Sequence, residues 1–363
     1  MSTGGERVRA ASAATGGADR SFELSPLPEA SFGAVMRFPA LSGARGAVAA
    51  LEAAPETLGD AICARGGLLL IPEMNEISDE PELLLRLSRL LGPEVEDYRN
   101  SYSFVNRRNL FDFHDTVPEI IQITNMPPIG TQPSPLPDPP LTEDGRLPVR
   151  HPHRTGWHTD QSFRRPPPDY SLFYAKRPVR QGQGQTLFAD STRAYAELPD
   201  AMKARIEGLE GIHVLPGMGR SAKAVRGGET PKPLAAHQQP QRQPLVRVHP
   251  VTGTKSLYLC DGGQMDFVTG PIAGMEPGPD GEGAALLYEL LHHLTERRFT
   301  YTHEWTEGDL VIYDNRNLLH SGTWYDADAH IRIMWRTTVR GNPDPTYAGE
   351  TYSWIPAEDF KPS

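Results

Sequence analysis

The feature that most constrains the fold is a histidine and an aspartate two residues apart, followed by a second histidine far downstream. The pair is His158 and Asp160, and the distant residue is His320. In an extended segment the side chains at i and i+2 point the same way, so both can reach one metal ion. Two imidazoles and one carboxylate on a single octahedral face are the ligand set of mononuclear non-haem iron centres. If His320 completes this set, residues 158–320 belong to one folding unit.

The histidine and aspartate pair does not identify a metal site by itself. Short polar triplets arise by chance, and a histidine is more often a surface or hydrogen-bonded residue than a ligand. The rest of the sequence therefore has to be consistent with an enclosed site that receives a small ligand.

Length and charge favour one large domain that binds a small molecule. The 363 residues allow a single β-rich domain with accessory segments. The net charge of −10, without a sustained basic run, disfavours nucleic acid as a partner. The two cysteines, Cys63 and Cys260, lack metal-site spacing and fit a reducing compartment as buried thiols. The sequence shows no signal-peptide core and no apolar run of about 18 residues, so we expect a soluble, cytoplasmic protein without a membrane partner.

The chain is expected to form a single domain over residues 21–345. Residues 1–20 are too poor in large apolar groups to offset the entropy of ordering and are predicted to be a disordered tail, and residues 346–363 form a C-terminal extension. Prolines crowd residues 126–153, and because this stretch ends close to the metal-ligand pair, we interpret it as a lid or pocket wall. Residues 217–244 are rich in Gly, Pro, Gln and basic residues and are predicted to be a mobile loop.

Apolar patterning predicts a mainly β fold with flanking helices. An alanine-rich helix ends near Gly66, and a leucine-rich helix is predicted to begin at the cap residue Ser78 and to end at Gly92. A further helix covers residues 282–297. The predicted strands are residues 68–71, 119–124, 170–175, 186–188, 246–248, 256–259, 309–313 and 331–339.

Two arginines in the last predicted strand allow two interpretations. Period two places Arg332 and Arg336 on the face opposite Ile333 and Trp335. On this pattern alone, the simpler interpretation puts the apolar face in the core and both arginines in water. Inside a barrel, both arginines are acceptable if each meets a carboxylate, because the guanidinium fork matches a carboxylate with two parallel hydrogen bonds. A dicarboxylate ligand would supply such a partner.

Five short motifs follow one another along the chain. They are Trp-His-Thr-Asp at 157–160, Gly-Gln-Thr-Leu-Phe at 184–188, His-Pro-Val-Thr-Gly at 249–253, Tyr-Asp-Asn-Arg at 313–316 and Arg-Ile-Met-Trp-Arg at 332–336. Together they resemble the taurine dioxygenase/TfdA family of Fe(II)- and 2-oxoglutarate-dependent oxygenases, over residues 22–341. The resemblance implies a double-stranded β-helix, which is a jelly-roll barrel, with flanking helices. It also implies Fe(II), 2-oxoglutarate and O2 as metal, cosubstrate and oxidant.

The resemblance assigns roles to individual residues. It implies that His158, Asp160 and His320 bind the iron, and that Arg332 and Thr186 bind the distal carboxylate of 2-oxoglutarate. Iron halogenases of related fold lack the carboxylate ligand and bind chloride there, so Asp160 argues against halogenation.

The same resemblance suggests further candidate contacts to cosubstrate or substrate, and it shows two departures from the family pattern. Arg336 matches a second arginine near the cosubstrate and, in some members, near the anionic group of the substrate. His114 and Arg154 lie near positions where relatives place substrate contacts. Gln185 stands where the family usually has an acid, and residues 126–153 are a longer insertion than is usual.

The implied function is hydroxylation of a small, polar or anionic, organic substrate with release of succinate and CO2. The same site could instead support desaturation, cyclisation or cleavage of a carbon–heteroatom bond, as in clavaminate synthase-like relatives, because substrate placement decides the outcome. A third hypothesis is a non-catalytic jelly-roll metal-binding sensor. Arg332 and Thr186 argue against the sensor, since a metal site alone has no use for a dicarboxylate anchor. Relatives are commonly dimers or tetramers, so the resemblance allows a homo-oligomer without fixing the oligomeric state.

Overall fold

Two largely antiparallel β-sheets, packed face to face and covered by helices, form the body of the protein. The computed structural model describes residues 22–98, 112–126, 156–235 and 238–341. The predicted tail at 1–20, the C-terminal extension at 346–363 and all but the first residue of the proline-rich stretch at 126–153 lie outside these ranges.

The strands are numbered along the chain. They are β1 (Glu23–Pro26), β2 (Ala34–Arg37), β3 (Leu68–Ile71), β4 (Asp112–Phe113), β5 (Ile121–Thr124), β6 (Tyr170–Arg177), β7 (Thr186–Asp190), β8 (Glu210–His213), β9 (Gln241–Pro244), β10 (Val246–Val248), β11 (Lys255–Leu257), β12 (Thr300–His303), β13 (Leu310–Asp314), β14 (Leu318–Gly322) and β15 (Ile333–Val339). Eight of them form one sheet in the order β1-β2-β3-β13-β6-β15-β5-β4, and a second sheet has the order β12-β7-β14. The pairs β10-β11 and β8-β9 stand apart from both sheets.

The helices lie outside the two sheets. They are α1 (Gly43–Ala53), α2 (Glu56–Ala64), α3 (Glu82–Leu91), α4 (Ser191–Ala196), α5 (Asp200–Ile206), α6 (Ala222–Arg226) and α7 (Glu282–Leu294), with short 3₁₀ helices at Asn75–Ser78 and Arg297–Phe299. None of the helices in the described ranges is long and apolar enough to cross a membrane.

Alternation along β13 shows how the core is divided. Leu310 and Ile312 pack with α1, α2 and α3 on the outer face of the larger sheet, whereas Val311 and Tyr313 point between the sheets. A third apolar cluster fills the space between the outer face of the smaller sheet and helices α4, α5 and α7. Burying a large aliphatic side chain contributes about 1.5–3 kcal/mol, so these layers fix which face of each strand remains for polar groups.

The predicted jelly-roll class with flanking helices is confirmed, and most predicted strands appear within a few residues of their expected ends. The strands of the two sheets do not form a hydrogen-bonded closed barrel within the described ranges. Because β3 pairs with both β2 and β13, chain segments more than 200 residues apart share the larger sheet.

The predicted helix start at Ser78 is wrong. Ser78 ends a 3₁₀ helix, and its hydroxyl lies 2.9 Å from the hydroxyl of Tyr174 instead of capping α3. The helix begins at Glu82, directly after Pro81. Proline is favoured at a helix start because it has no N–H group to leave unpaired.

The predicted loop at 217–244 contains regular structure. It includes α6, whose start is capped by the hydroxyl of Ser221, and β9, which pairs with β8. The side chain of Gln243 is buried, and its amide donates to the carbonyls of Ser162 and Arg164 at 2.8 and 2.7 Å. Polar contacts to carbonyl groups distant in sequence hold the segment in place. The prediction of a mobile loop rested on the low content of apolar residues, which carries no information about such contacts.

Candidate metal centre

Backbone pairing brings the two predicted histidine ligands side by side. The N–H of His158 donates to the carbonyl of His320 at 3.0 Å, and the N–H of His320 donates back at 2.7 Å. Residues that exchange both hydrogen bonds across antiparallel strands carry their side chains on the same face. The ring centroids accordingly lie 4.2 Å apart.

Asp160 completes a group of three ligand side chains. Its Oδ1 lies 4.0 Å from Nε2 of His158 and 3.8 Å from Nε2 of His320, and one ligand atom from each residue lies within 4.8 Å of the other two. Ligand atoms about 2 Å from one ion lie at most about 4 Å apart, so small side-chain rotations bring all three to a single ion. The structure thus brings together the three residues that the sequence nominates as metal ligands.

The imidazoles are prepared to bind a cation through Nε2. Nδ1 of His158 lies 2.6 Å from the carbonyl oxygen of Gly156. A carbonyl only accepts hydrogen bonds, so Nδ1 is the donor to Gly156 and Nε2 is the ring nitrogen left to serve as a metal ligand. Burial, followed by the neighbouring His158, lowers the pKa of His320 to about 3, which keeps that ring neutral at physiological pH.

The Asp160 carboxylate is surrounded by donors. Oδ2 accepts hydrogen bonds from the hydroxyls of Ser171 and Tyr313, both at 2.7 Å. Oδ1 lies 2.6 Å from Nη1 of Arg336. Burial by itself would raise the pKa of Asp160, but Arg336, then His320 and His158, hold that pKa well below its ordinary value. The carboxylate is therefore ionised and able to bind a metal.

Asn315 fixes the backbone and surroundings of Asp160. Its side-chain oxygen accepts the N–H of Asp160 at 3.1 Å, and its amide nitrogen donates to the hydroxyl of Ser171 at 3.0 Å. Sequence reasoning did not assign Ser171, Tyr313 or Asn315 to the site. The available signal was period two, which places Tyr313 on the interior face with Val311, and the occurrence of both Tyr313 and Asn315 in one motif.

Arg332 is a buried cation in the interior of the fold. Its residue surface is 9% exposed, its Nη2 donates to the carbonyl of Gly184 at 3.2 Å, and none of the described carboxylates pairs with it. Burial lowers its pKa to about 10. Gly184 is required here, because a Cβ would lie 2.7 Å from a methyl of Val179 and 3.3 Å from Nε of Arg332.

The simpler interpretation of the last strand, with both arginines in water, is wrong. Arg332 is buried and the Arg336 side chain is 12% exposed. The neighbouring Trp335 packs outward with the helices instead. Alternation in the sequence shows that the strand has an apolar face and a charged face, but it does not show whether the charged face meets water or a second sheet. Here the charged face points between two sheets, so both faces are buried.

The hydroxyl of Thr186 faces the same interior. It accepts a hydrogen bond from Nε1 of Trp305 at 3.0 Å, so its own hydrogen is available to another acceptor. The ring of Phe173 links this position to Arg332, because Trp305 packs edge-on against it at 5.2 Å and the guanidinium lies 5.9 Å from its centroid. Thr186 and Arg332 thus border one small region.

The remaining predicted residues have different surroundings. Arg336 contacts Asp160, and its direct contact with a cosubstrate stays a prediction. The ring of His114 packs edge-on against Trp335 at 5.0 Å, on the face of β15 opposite Arg336, so the structure does not bring His114 to the metal ligands. Arg154 lies outside the described residues. The side-chain amide of Gln185, which stands where the family usually has an acid, donates to the carboxylate of Glu304, the residue that follows β12.

A second buried charge cluster supports the strand that precedes the His320 ligand. Nε2 of His249 lies 3.0 Å from Oδ2 of Asp314, and Arg316 donates to both oxygens of Asp314 at 2.8 and 2.6 Å. The backbone N–H groups of residues 251 and 252 donate to Nδ1 of His249, so Nε2 carries the proton. These contacts join the 249–253 and 313–316 motifs and hold the β10-β11 hairpin against the sheets.

Comparison with known proteins agrees with this geometry. The family model described as "Taurine catabolism dioxygenase TauD, TfdA family" matches residues 26–338. A solved structure of AAD-2 in complex with Mn(II) and N-oxalylglycine is 26% identical and superposes with a TM-score of 0.59, over 90% of this chain and 99% of that chain.

Two curated relatives are similar over about half of the chain. The alpha-ketoglutarate-dependent 2,4-dichlorophenoxyacetate dioxygenase of Cupriavidus pinatubonensis is 36% identical over 50% of this chain and 59% of its own length. The (S)-phenoxypropionate/alpha-ketoglutarate-dioxygenase of Sphingobium herbicidovorans is 35% identical over 52% of this chain and 63% of its own length. The matched part of the chain thus spans about three-fifths of these relatives. Since the family model covers most of the sequence and the motif residues meet in one interior, the chain belongs to the taurine catabolism dioxygenase TauD, TfdA family.

Proposed function

We propose that this chain is an Fe(II)- and 2-oxoglutarate-dependent oxygenase that hydroxylates a small, polar or anionic, organic substrate and releases succinate and CO2. The observation that carries the proposal is Arg332, a buried cation that none of the described carboxylates neutralises, in the same interior as the metal-binding group. A charge taken out of water without a partner is costly. A dicarboxylate ligand removes that cost.

The metal-binding group suits Fe(II). One aspartate and two histidines supply three donors and leave three positions of an octahedron open. Bound there, Fe(II) would supply the reaction with O2 and would hold the 2-oxo acid end of the cosubstrate. The contribution of the chain is to keep His158 and His320 in register through their backbone bridge and to keep Asp160 ionised.

The other end of 2-oxoglutarate suits Arg332 and Thr186. A guanidinium binds a carboxylate through two parallel hydrogen bonds, and the free hydrogen of the Thr186 hydroxyl can donate a third. The low dielectric of a buried site strengthens these bonds relative to water. Recognition of both ends would select a five-carbon dicarboxylate with a 2-oxo group over other small acids.

The substrate class is supported by the relatives. Those named above are dioxygenases of 2,4-dichlorophenoxyacetate and (S)-phenoxypropionate, both of which are small organic anions. The sensor hypothesis offers no reason for a buried Arg332 without a described carboxylate partner in the same interior as the metal ligands, and we therefore do not retain it.

A coupled assay tests the proposal. The purified protein is incubated with Fe(II), O2 and 2-oxoglutarate, and succinate is measured across a panel of aryloxyacids, sulfonates, amino acids and nucleotides. We expect slow succinate release without substrate and faster release with at least one organic anion. Omission of Fe(II) or 2-oxoglutarate should stop the reaction. Absence of succinate from an Fe(II)-loaded protein across the whole panel would contradict the proposal.

A further inference from the structure

The two oxygens of the Asp160 carboxylate have different surroundings. Oδ2 accepts two hydroxyl hydrogen bonds, from Ser171 and Tyr313, each at 2.7 Å. Oδ1 is the oxygen that lies 4.0 and 3.8 Å from the Nε2 atoms of His158 and His320. We infer that Ser171 and Tyr313 make Asp160 a monodentate ligand through Oδ1 and so preserve an open position at the metal. This inference rests on the proposed function, because it concerns the same site.

The hydroxyl contacts use the hydrogen-bonding capacity of Oδ2. A carboxylate oxygen offers about two lone-pair sites, and two donors already point at this one. Oδ1 receives one N–H group from Arg336 and keeps its second site toward the histidines. A metal ion that approaches His158 and His320 therefore meets one available oxygen of Asp160.

Both hydroxyls are fixed as donors. A phenol is protonated at neutral pH and a carboxylate only accepts, so Tyr313 donates to Asp160. The amide nitrogen of Asn315 donates to the hydroxyl oxygen of Ser171, which directs the single hydrogen of Ser171 toward Asp160. The two donors cannot reverse without leaving Oδ2 against another lone pair.

Sheet register explains why two hydroxyls reach one oxygen. Tyr313 on β13 and Ser171 on β6 are directly opposite in the antiparallel ladder. Opposite residues place their side chains on the same face, about 5 Å apart at Cβ. Both residues are buried, so this arrangement is part of the packed interior.

The number of open positions decides whether the proposed reaction can proceed. Three protein ligands would leave three octahedral positions open, which is enough for a 2-oxo acid bound through two atoms and for one further small ligand. If Asp160 bound through both oxygens, it would take a fourth position, and O2 or one arm of the cosubstrate would be excluded. Ser171 and Tyr313 are therefore positioning residues, which act through Asp160.

The test uses Mn(II) and N-oxalylglycine, an inert pair that the related AAD-2 structure contains. The variants are Tyr313→Phe, Ser171→Ala and the double variant. Tyr174→Phe is the matched control, because Tyr174 is a buried tyrosine on β6 whose hydroxyl contacts Ser78 instead of Asp160. Mn(II) affinity is measured by electron paramagnetic resonance titration, and N-oxalylglycine affinity by calorimetry on the Mn(II)-loaded protein.

We expect the double variant to bind Mn(II) at least as tightly as the wild type, because a released Oδ2 adds a second bond to the metal. Its dissociation constant for N-oxalylglycine should rise by about tenfold or more, within the range by which groups around metal ligands alter function, because the second oxygen of Asp160 would compete with the analogue for a metal position. Each single variant should show a smaller rise, and Tyr174→Phe should match the wild type in both affinities.

Two results would overturn the inference while leaving the proposed function standing. One is a parallel loss of Mn(II) and N-oxalylglycine affinity in the double variant, which would show that the hydroxyls only support the local structure. The other is a double variant indistinguishable from Tyr174→Phe. A wild-type protein that binds neither probe would instead refute the proposed function, and this inference with it.

Discussion

Asp160 and Arg332 are buried charges of opposite sign in the same interior, yet their surroundings differ. Asp160 contacts two hydroxyls and one guanidinium. The guanidinium of Arg332 has one hydrogen bond, to the carbonyl of Gly184, and its Nε has no partner among the described residues. Among the described residues, the carboxylate of Asp160 is therefore surrounded by donors, whereas the guanidinium of Arg332 has unused donors that we propose bind a carboxylate ligand.

This difference has an energetic meaning. Removing one partner of a buried ion pair costs about 3–5 kcal/mol, so Asp160 depends on Arg336 even before a metal binds. Burial of Arg332 without a described carboxylate partner is unfavourable in the ligand-free protein. Under the proposed function, a bound carboxylate would relieve this cost. The two arginines, four residues apart on one face, should therefore respond in opposite ways to substitution.

The largest expected effect comes from Asp160→Ala, which removes the buried carboxylate that the surrounding donors hold in place. Without this carboxylate the metal loses one of three protein ligands, so we expect loss of Mn(II) binding and of 2-oxoglutarate-dependent succinate release. Asp328→Ala, at an exposed loop position, serves as the control and should behave as wild type. Wild-type turnover by Asp160→Ala would remove that residue from the ligand set.

The next effect is on the stability of the metal-free protein. Arg336→Gln leaves Asp160 buried without its cation and should lower the free energy of unfolding by about 3–5 kcal/mol. Arg332→Gln removes a cation that has no carboxylate partner and should leave the stability unchanged or raise it. Urea unfolding of both variants without metal or cosubstrate measures the difference. Equal losses in the two variants would contradict the contrast between the two arginines.

A smaller effect is expected on cosubstrate binding. Arg332→Gln should weaken the binding of 2-oxoglutarate by roughly 2–5 kcal/mol, which is the cost of losing one member of a buried charge pair. The Michaelis constant for 2-oxoglutarate measures this loss. Arg177→Gln, at the exposed end of β6, is the control. An unchanged Michaelis constant in Arg332→Gln would refute the anchor role.

Thr186→Val tests the smallest contribution. The substitution removes the acceptor for the indole N–H of Trp305 and the proposed hydrogen bond to the distal carboxylate. A net loss of about 1 kcal/mol is expected for such a bond, which corresponds to roughly a fivefold rise in the Michaelis constant for 2-oxoglutarate. Thr302→Val, on the exposed face of the neighbouring strand β12, should have no effect. If both variants behave alike, Thr186 does not bind the cosubstrate.

The comparison also shows which features a sequence can predict. The His158 and Asp160 pair follows from local geometry, because an extended chain puts alternate side chains on one side. Patterning did not predict a strand around His320, which it placed only between two other predicted strands. The backbone bridge joins His320 to His158 across 162 positions of sequence, and no local pattern indicates that pairing. Family resemblance supplied what patterning could not.

The less predictable features depend on what faces a strand. Arg332, which directly precedes β15, and Arg336 on β15 could not be distinguished by pattern from residues of a solvated face, because only the second sheet covers that side. The hydroxyls of Ser171 and Tyr313 meet Asp160 because β6 and β13 are neighbours in a particular register. Register depends on the packing of whole strands, so the partners of Asp160 could not be read from its neighbours in sequence.

The most direct test of the account is a crystal structure of the protein with Mn(II) and N-oxalylglycine. We predict that the metal binds Nε2 of His158, Oδ1 of Asp160 and Nε2 of His320, and that the distal carboxylate of the analogue pairs with Arg332. A metal bound elsewhere, or an Arg332 guanidinium that still has no carboxylate partner in that complex, would contradict the account.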